Sequence, residues 1–191
     1  MSEKVRAFVA VLLSEEVRAA LAQEVDRLRS VAPAVGWIRA ENLHMTLKFL
    51  GHIPPEALAR VEAGLAEAVA DEPPFDAAFV GLGAFPSAER PRVIWAGVAE
   101  GSDALVTLQS RVEAALAEKE IPREERPFHP HLTLARVREP RQARPLLSAL
   151  MAREKVLFGH QAVSAIHLMR SDLHPQGARY SILRRFPLAT Q

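Results

Sequence analysis

The stretch Phe128-His129-Pro130-His131-Leu132-Thr133-Leu134-Ala135-Arg136 decides how this chain is read, because its core recurs upstream in Asn42-Leu43-His44-Met45-Thr46-Leu47-Lys48-Phe49. Both copies contain His-x-Thr-Leu within an apolar run. Side chains of a β-strand alternate between faces, so a His and a Thr two residues apart share one face. Met45, Leu47 and Phe49 in the first copy, and Leu132 and Leu134 in the second, are then expected to anchor each strand to a core. That leaves an imidazole and a hydroxyl on the opposite face of each strand. One His-x-Thr alone carries little weight, since a lone strand histidine is more often a hydrogen-bonded structural residue. Two copies in matching contexts carry far more.

The contexts do match. Val5 to Leu12 is an apolar run with β-branched residues and no breaker, and it and Val93 to Val98 are predicted as strands. Ser14 is placed to cap a helix over about 15–29, with Val17, Leu21, Val25 and Leu28 on one stripe. In the second half Gly101-Ser102-Asp103 supplies a loop and a cap for a helix burying Leu105, Leu108, Val112 and Leu116. The first motif strand is expected over 43–50, closed by Gly51 and followed by a helix that Pro54-Pro55 opens and Pro73-Pro74 ends. Residues 75–82 read as a strand and 83–91 as a surface loop. A charged loop, 122–127, leads into the second motif strand, and Glu139-Pro140 starts a short helix with Ala143, Leu146, Leu147 and Leu150 inward. Two last strands, about 162–169 and 179–186, are joined by a turn at His174-Pro175-Gln176-Gly177.

Each half therefore reads strand, helix, His-x-Thr strand, helix, strand, an internal repeat of organisation. His44 and His131 stand almost equally far from Val5 and Val93, which open the two halves. The expected fold is α+β and bilobal, a single two-lobed domain over 1–191 with sequence halves of about 1–90 and 91–191. Each pseudo-symmetric lobe would hold an antiparallel-rich sheet with flanking helices. The His-x-Thr strands would face a central cleft and bring His44, Thr46, His131 and Thr133 to one site.

Composition narrows the chemistry. With 191 residues, 49% of them hydrophobic, the chain can build one large domain or two small lobes. A formal net charge of +1 creates no field that would gather a polyanion, so any such recognition rests on local placement. The absence of cysteine excludes disulfides, thiolate nucleophiles, iron–sulfur clusters and cysteine-ligated zinc. The apolar run from Phe8 to Leu13 is too short to span a bilayer, and Ser14-Glu15-Glu16 follows where a signal peptide needs a small-residue cleavage site. A cytoplasmic protein is expected. Gly81-Leu82-Gly83 is not a phosphate loop, because no third glycine and no Gly-Lys-Ser/Thr follows. A serine hydrolase finds no Gly-x-Ser-x-Gly elbow.

Two histidines on opposite walls suit phosphoryl displacement. The attacking and departing oxygens lie roughly in line through phosphorus, so a base is needed on one side and an acid on the other. An imidazole with an unperturbed pKa near ~6.5 can serve as either near neutral pH. The threonine hydroxyls would donate to the non-bridging oxygens, and the scheme calls for no metal or other cofactor. Which histidine is the base is open at this level.

At these residues the sequence resembles the two-histidine phosphoesterases, specifically the RNA 2′,3′-cyclic phosphodiesterases also called 2′-5′ RNA ligases. The resemblance rests on Arg6-Ala7-Phe8-Val9-Ala10, on Leu43 through Gly51, and on Phe128 through Arg136, and it covers essentially the whole chain. It implies hydrolysis of a terminal 2′,3′-cyclic phosphate to a 2′-phosphomonoester, with reversible 2′-5′ ligation as a companion activity. It further implies that His44 donates a proton and His131 accepts one. The implied partner is RNA with a cyclic phosphate end or a small cyclic nucleotide, met by a monomer without a membrane.

Arg136 is a further substrate-binding candidate, since a guanidinium suits phosphate. Strand parity places it opposite His131 unless a bulge re-aims it. Lys48 has the parity to reach substrate, though a solvated lysine at a strand end is the favoured reading. Arg136, Arg138, Arg141 and Arg144 form either an RNA-backbone contact or a solvated rim. Two rival functions stand beside this one. His129-Pro130-His131 could ligate a metal, although no partnering carboxylate is evident near either motif. The same fold could also hold an RNA end without turning it over. His52, His160, His167 and His174 are taken as structural or surface residues.

Overall fold

The structure is a computed structural model that describes residues 4–175 and 177–189. Among the described residues, nine strands form two antiparallel sheets. The first has the order β3-β1-β8-β9 and the second β2-β6-β5-β4-β7. In chain order the strands are β1 Val5–Leu12, β2 Gly36–Trp37, β3 His44–Ile53, β4 Phe75–Phe85, β5 Val93–Val98, β6 His131–Arg136, β7 Leu157–Val163, β8 Ala165–Asp172 and β9 Arg179–Pro187. The helices are α1 Glu15–Val31, α2 Leu58–Val69, α3 Ser102–Glu118 and α4 Leu147–Ala152.

The elements form for local reasons that the sequence carries. Ser14 accepts the Val17 amide at 3.3 Å and caps α1, whose first turn holds Glu15 and Glu16 where the helix dipole favours acids. Pro55 opens a 3-10 turn, Pro55–Ala57, that delivers the chain to α2. Helix α3 starts differently from the expectation, because Gly101 itself is the N-cap, in the left-handed region at φ 78°, and no side chain caps the helix. A side chain there would also strike the Asp76 carbonyl, its Cβ falling 2.3 Å from that oxygen.

The repeat unit is present in both sheets. In each, the opening strand pairs antiparallel with the motif strand, β1 with β3 and β5 with β6. The sheets nevertheless do not divide near residue 90. Strand β4, from the first half, lies in the second sheet, and β8 and β9, from the second half, complete the first. The physical reason is proximity along the chain, since β4 and β5 are joined by a short connection and pair as consecutive antiparallel strands. The helices cross over as well: α1 contacts β7 of the second sheet and α3 contacts β3 of the first. One continuous hydrophobic cluster therefore runs from Val9 and Leu21 to Leu108, Leu132 and Leu168.

Several boundaries differ from the sequence reading, among them the helix expected from Glu139-Pro140, which is a 3-10 helix over Pro140–Leu146 before α4 begins. The strand expected over 162–169 is the junction of two strands in different sheets, β7 and β8, which meet at Ser164. No Gly or Pro marks that passage. Residues 83–85, expected in a loop, continue β4 opposite β5. Gly83 is demanded there because the Trp95 ring lies across it, and a Cβ would sit 2.2 Å from that ring. Strand β3 runs through Gly51 to Ile53. The turn expected at 174–177 includes Gln176, outside the described residues; the Gly177 amide donates to the His174 carbonyl at 2.9 Å.

Candidate active site

The motif strands come together without pairing. β3 is the edge strand of the first sheet, β6 carries only the two-residue β2 outside it, and the two approach within 8 Å, Cα to Cα. Met45, Leu132 and Leu134 are fully buried and Leu47 nearly so, anchoring the strands as alternation requires. His44, Thr46, His131 and Thr133 are half-buried on the other face.

Each motif strand carries a bulge at the same place. Across β1 and β3, Val9 opposes Lys48 and Ala10 opposes Thr46, so Leu47 is an extra residue. Across β5 and β6, Ile94 opposes Ala135 and Trp95 opposes Thr133, so Leu134 is the extra one. A bulge shifts the alternation beyond it by one residue. Leu47 and Lys48 are accordingly both buried, as are Leu134 and Ala135. Phe49 and Arg136 then emerge exposed on the histidine face.

This resolves the parity of Arg136 and corrects two expectations. Phe49 does not anchor the core; it is 58% exposed, with its ring 6.3 Å from Phe8, whose own ring lies 4.8 Å from His44. Lys48 is neither solvated nor on the groove face. Its ammonium is buried against the Glu113 carboxylate, at 2.7 and 2.9 Å, and donates to the Pro122 carbonyl at 2.8 Å. Glu113 also accepts the Glu124 amide at 3.3 Å, so this buried pair fastens β3 to the loop that leads to the second motif. Arg138, Arg141 and Arg144 are solvent-exposed.

The two imidazoles are held alike. His44 Nδ1 lies 2.7 Å from the Asn42 carbonyl, and His131 Nδ1 lies 2.7 Å from the His129 carbonyl. A carbonyl only accepts, so Nδ1 carries the proton in both rings and Nε2 is the reacting nitrogen. His44 Nε2 is 3.0 Å from Thr46 Oγ1. His44 packs edge-on against Tyr180 at 5.2 Å, and His131 edge-on against Phe85 at 5.2 Å. Burial among these rings lowers both histidine pKa values below 6.5. The carbonyl bonds oppose that shift, and the Arg136 guanidinium adds to it at both rings. One arginine is thus within electrostatic reach of histidines on two different sheets.

Sequence reasoning missed Phe8, Tyr180 and Phe85 as neighbours of the histidines, and Phe49 as a neighbour of Phe8. The single available signal was the repeat itself, which aligns Phe49 with Arg136. His129 is exposed and offers its backbone carbonyl to His131. Among the described residues no group of three or more His, Cys, Asp or Glu side chains is placed to hold a metal ion, and no helix is long and apolar enough to cross a membrane.

This fold is that of a phosphoesterase crystal structure, on which the chain superposes with a TM-score of 0.76 and 27% identity, covering 98% of this chain and 100% of that one. The chain superposes on the crystal structure of TT0787 from Thermus thermophilus with a TM-score of 0.79 and 34% identity, covering 96% of this chain and 97% of that one. It superposes on E. coli LigT in apo form with a TM-score of 0.75 and 28% identity, covering 99% and 100%. A profile of the 2′-5′ RNA ligase superfamily matches residues 17–175, and the chain belongs to that family. Among curated relatives, the RNA 2′,3′-cyclic phosphodiesterase of Thermus thermophilus is 40% identical over 96% of this chain and 90% of its own length. The enzyme of the same name from Methanothermobacter thermautotrophicus is 35% identical over 97% and 100%.

Proposed function

We propose that this protein hydrolyses the 2′,3′-cyclic phosphate end of an RNA, or a small cyclic nucleotide, to a 2′-phosphomonoester. Water attacks phosphorus in line with O3′, and the P–O3′ bond breaks. His131 Nε2 takes the proton from water, and His44, protonated, gives one to the departing O3′. Thr46 and Thr133 donate to the non-bridging oxygens, and Arg136 holds the anionic charge between the walls. Phe49 offers its exposed face to the base of the terminal nucleotide. A 5′-hydroxyl attacking in place of water would form a 2′-5′ linkage by the same path. The reading carries with it a monomer working in the cytoplasm, and light scattering would check the first of these.

The observation that supports it best is the matched tether of the two histidines. Each Nδ1–H is tied to the carbonyl two residues earlier, so two Nε2 atoms are left for chemistry beside one shared guanidinium. The direct test is a short RNA ending in 2′,3′-cyclic phosphate incubated with the purified protein in EDTA. A 2′-phosphate product is expected, with H44A and H131A each losing about 10²–10⁴ in kcat. A 3′-phosphate would overturn the assigned ring opening, loss of activity in EDTA with recovery on adding zinc would favour a metal site, and an inert wild-type protein that binds the RNA end would favour a pure binder.

A further inference from the structure

A row of residues crosses the first sheet on its histidine face. Thr46 of β3 opposes Ala10 of β1, Ala10 opposes His167 of β8, and His167 opposes Arg185 of β9. Directly opposed residues on neighbouring strands point to the same side. At the ~4.8 Å interstrand spacing, His167 stands roughly 10 Å from Thr46 and Arg185 roughly 14 Å. Ala10, which is fully buried, lies between.

His167 and Arg185 are oddly placed for structural residues. His167 is half-buried, and its Nδ1, itself shielded from solvent, has no hydrogen-bond partner among the described residues. Burial and the neighbouring Arg185 hold its pKa below 6.5, against the opposing effect of a backbone hydrogen bond at Ala10. Arg185 is exposed, and among the described residues no carboxylate pairs with it. Its neighbour Arg184 points to the other side, where it pairs with Glu62 of α2. A guanidinium beside an imidazole, with no carboxylate paired to either among the described residues, is an arrangement that a bound anion would relieve.

The next row supplies an independent sign. Phe8 of β1 opposes Met169 of β8, which opposes Ile182 of β9, and Ile182 is 54% exposed. Tyr180, half-buried, stands at 5.0 Å from Phe8 in the same patch. Phe8 and Met169 are themselves buried, so Ile182 and Tyr180 supply the apolar surface beside Arg185; such a pairing of apolar and cationic groups is one with which proteins track single-stranded nucleic acid, bases on the former and phosphates along the latter.

We infer that His167 and Arg185 form a second anion subsite, which takes the phosphodiester one nucleotide upstream of the reacting end while Ile182 and Tyr180 receive the adjoining base. This rests on the proposed cyclic phosphodiesterase reading and names its substrate class: oligonucleotide ends in preference to free cyclic mononucleotides. The tethered position of the terminal phosphate at Thr46 sets the direction, so the RNA leaves the groove across β1 and β8 towards the β9 edge.

The test compares three substrates with the intact protein in EDTA: adenosine 2′,3′-cyclic phosphate, the diadenosine ending in the same cyclic phosphate, and that dinucleotide with an uncharged methylphosphonate at its internal linkage. The wild-type protein is expected to favour the charged dinucleotide in kcat/KM. R185A should lower the ratio of charged dinucleotide to mononucleotide by about tenfold, the effect of one charged contact. H167Q should lower it in the same direction, and the methylphosphonate substrate should show no such fall in R185A. Equal efficiency of wild type on the mononucleotide and the charged dinucleotide, or a ratio unchanged in R185A, overturns the subsite and leaves the site at His44 and His131 untouched. A wild-type protein inactive on all three substrates overturns the underlying reading instead.

Discussion

Phe49 and Arg136 occupy the same position in the two motif strands, each turned onto the histidine face by a bulge at the preceding Leu-x pair. The duplicated scaffold thus presents an aromatic face from one wall and a guanidinium from the other. The two should separate kinetically. R136A is expected to lose about 10²–10³ in kcat, the scale of a missing charge-stabilising donor, with little recovery in R136K because a lysine lacks the planar fork. F49A should mainly raise KM, by the equivalent of about 1–3 kcal/mol for one stacked base. Equal effects of both changes on kcat would remove the assignment of separate roles.

The pH dependence follows from the shared burial of the histidines. Catalysis needs one ring neutral and one protonated, so kcat/KM peaks between their two pKa values in the free enzyme. Burial moves both below 6.5, and the optimum is expected on the acid side of that value. A kcat/KM profile centred above pH 7 would contradict it.

Stability should move with the same groups. A histidine whose folded pKa is depressed binds fewer protons folded than unfolded, so its contribution is present above the unfolded value and is lost as pH falls through 6.5 towards the folded one. Urea denaturation across that window should show the midpoint falling with acidification in the wild-type protein. The slope should flatten in an H44N/H131N variant; an identical slope would exclude these two rings as its source.

The Lys48–Glu113 pair makes a fourth case. Removing one partner leaves the other charge buried, so K48M or E113L alone should cost about 3–5 kcal/mol. The double change K48M/E113L should cost much less than either, since well-packed apolar residues of similar volume are tolerated. Chemical denaturation of the four proteins reads this as a coupling. Additive losses would mean the two residues act independently.

Gly83 tests the second sheet. In G83A the new methyl falls 2.2 Å from the Trp95 ring, so the indole must move. About 1–3 kcal/mol of stability should be lost, with a change in tryptophan emission. An unaltered spectrum at full stability would show that the ring is free to shift.

The sequence by itself determined the duplicated His-x-Thr strands, the four histidine and threonine positions, the Ser14 cap and most element positions, because alternation, helical periodicity and caps are local properties. Only the tertiary structure decided which strands share a sheet, that β4 and β8 cross between the halves, and that Ser164 is a passage from one sheet to the other. It also decided that bulges at Leu47 and Leu134 bury Lys48 and bring Phe49 and Arg136 to the histidines. Strand partners and register are set by contacts between residues far apart in the chain, and a one-residue shift in pairing reverses every side chain beyond it. A period of two read along the chain carries no record of that shift.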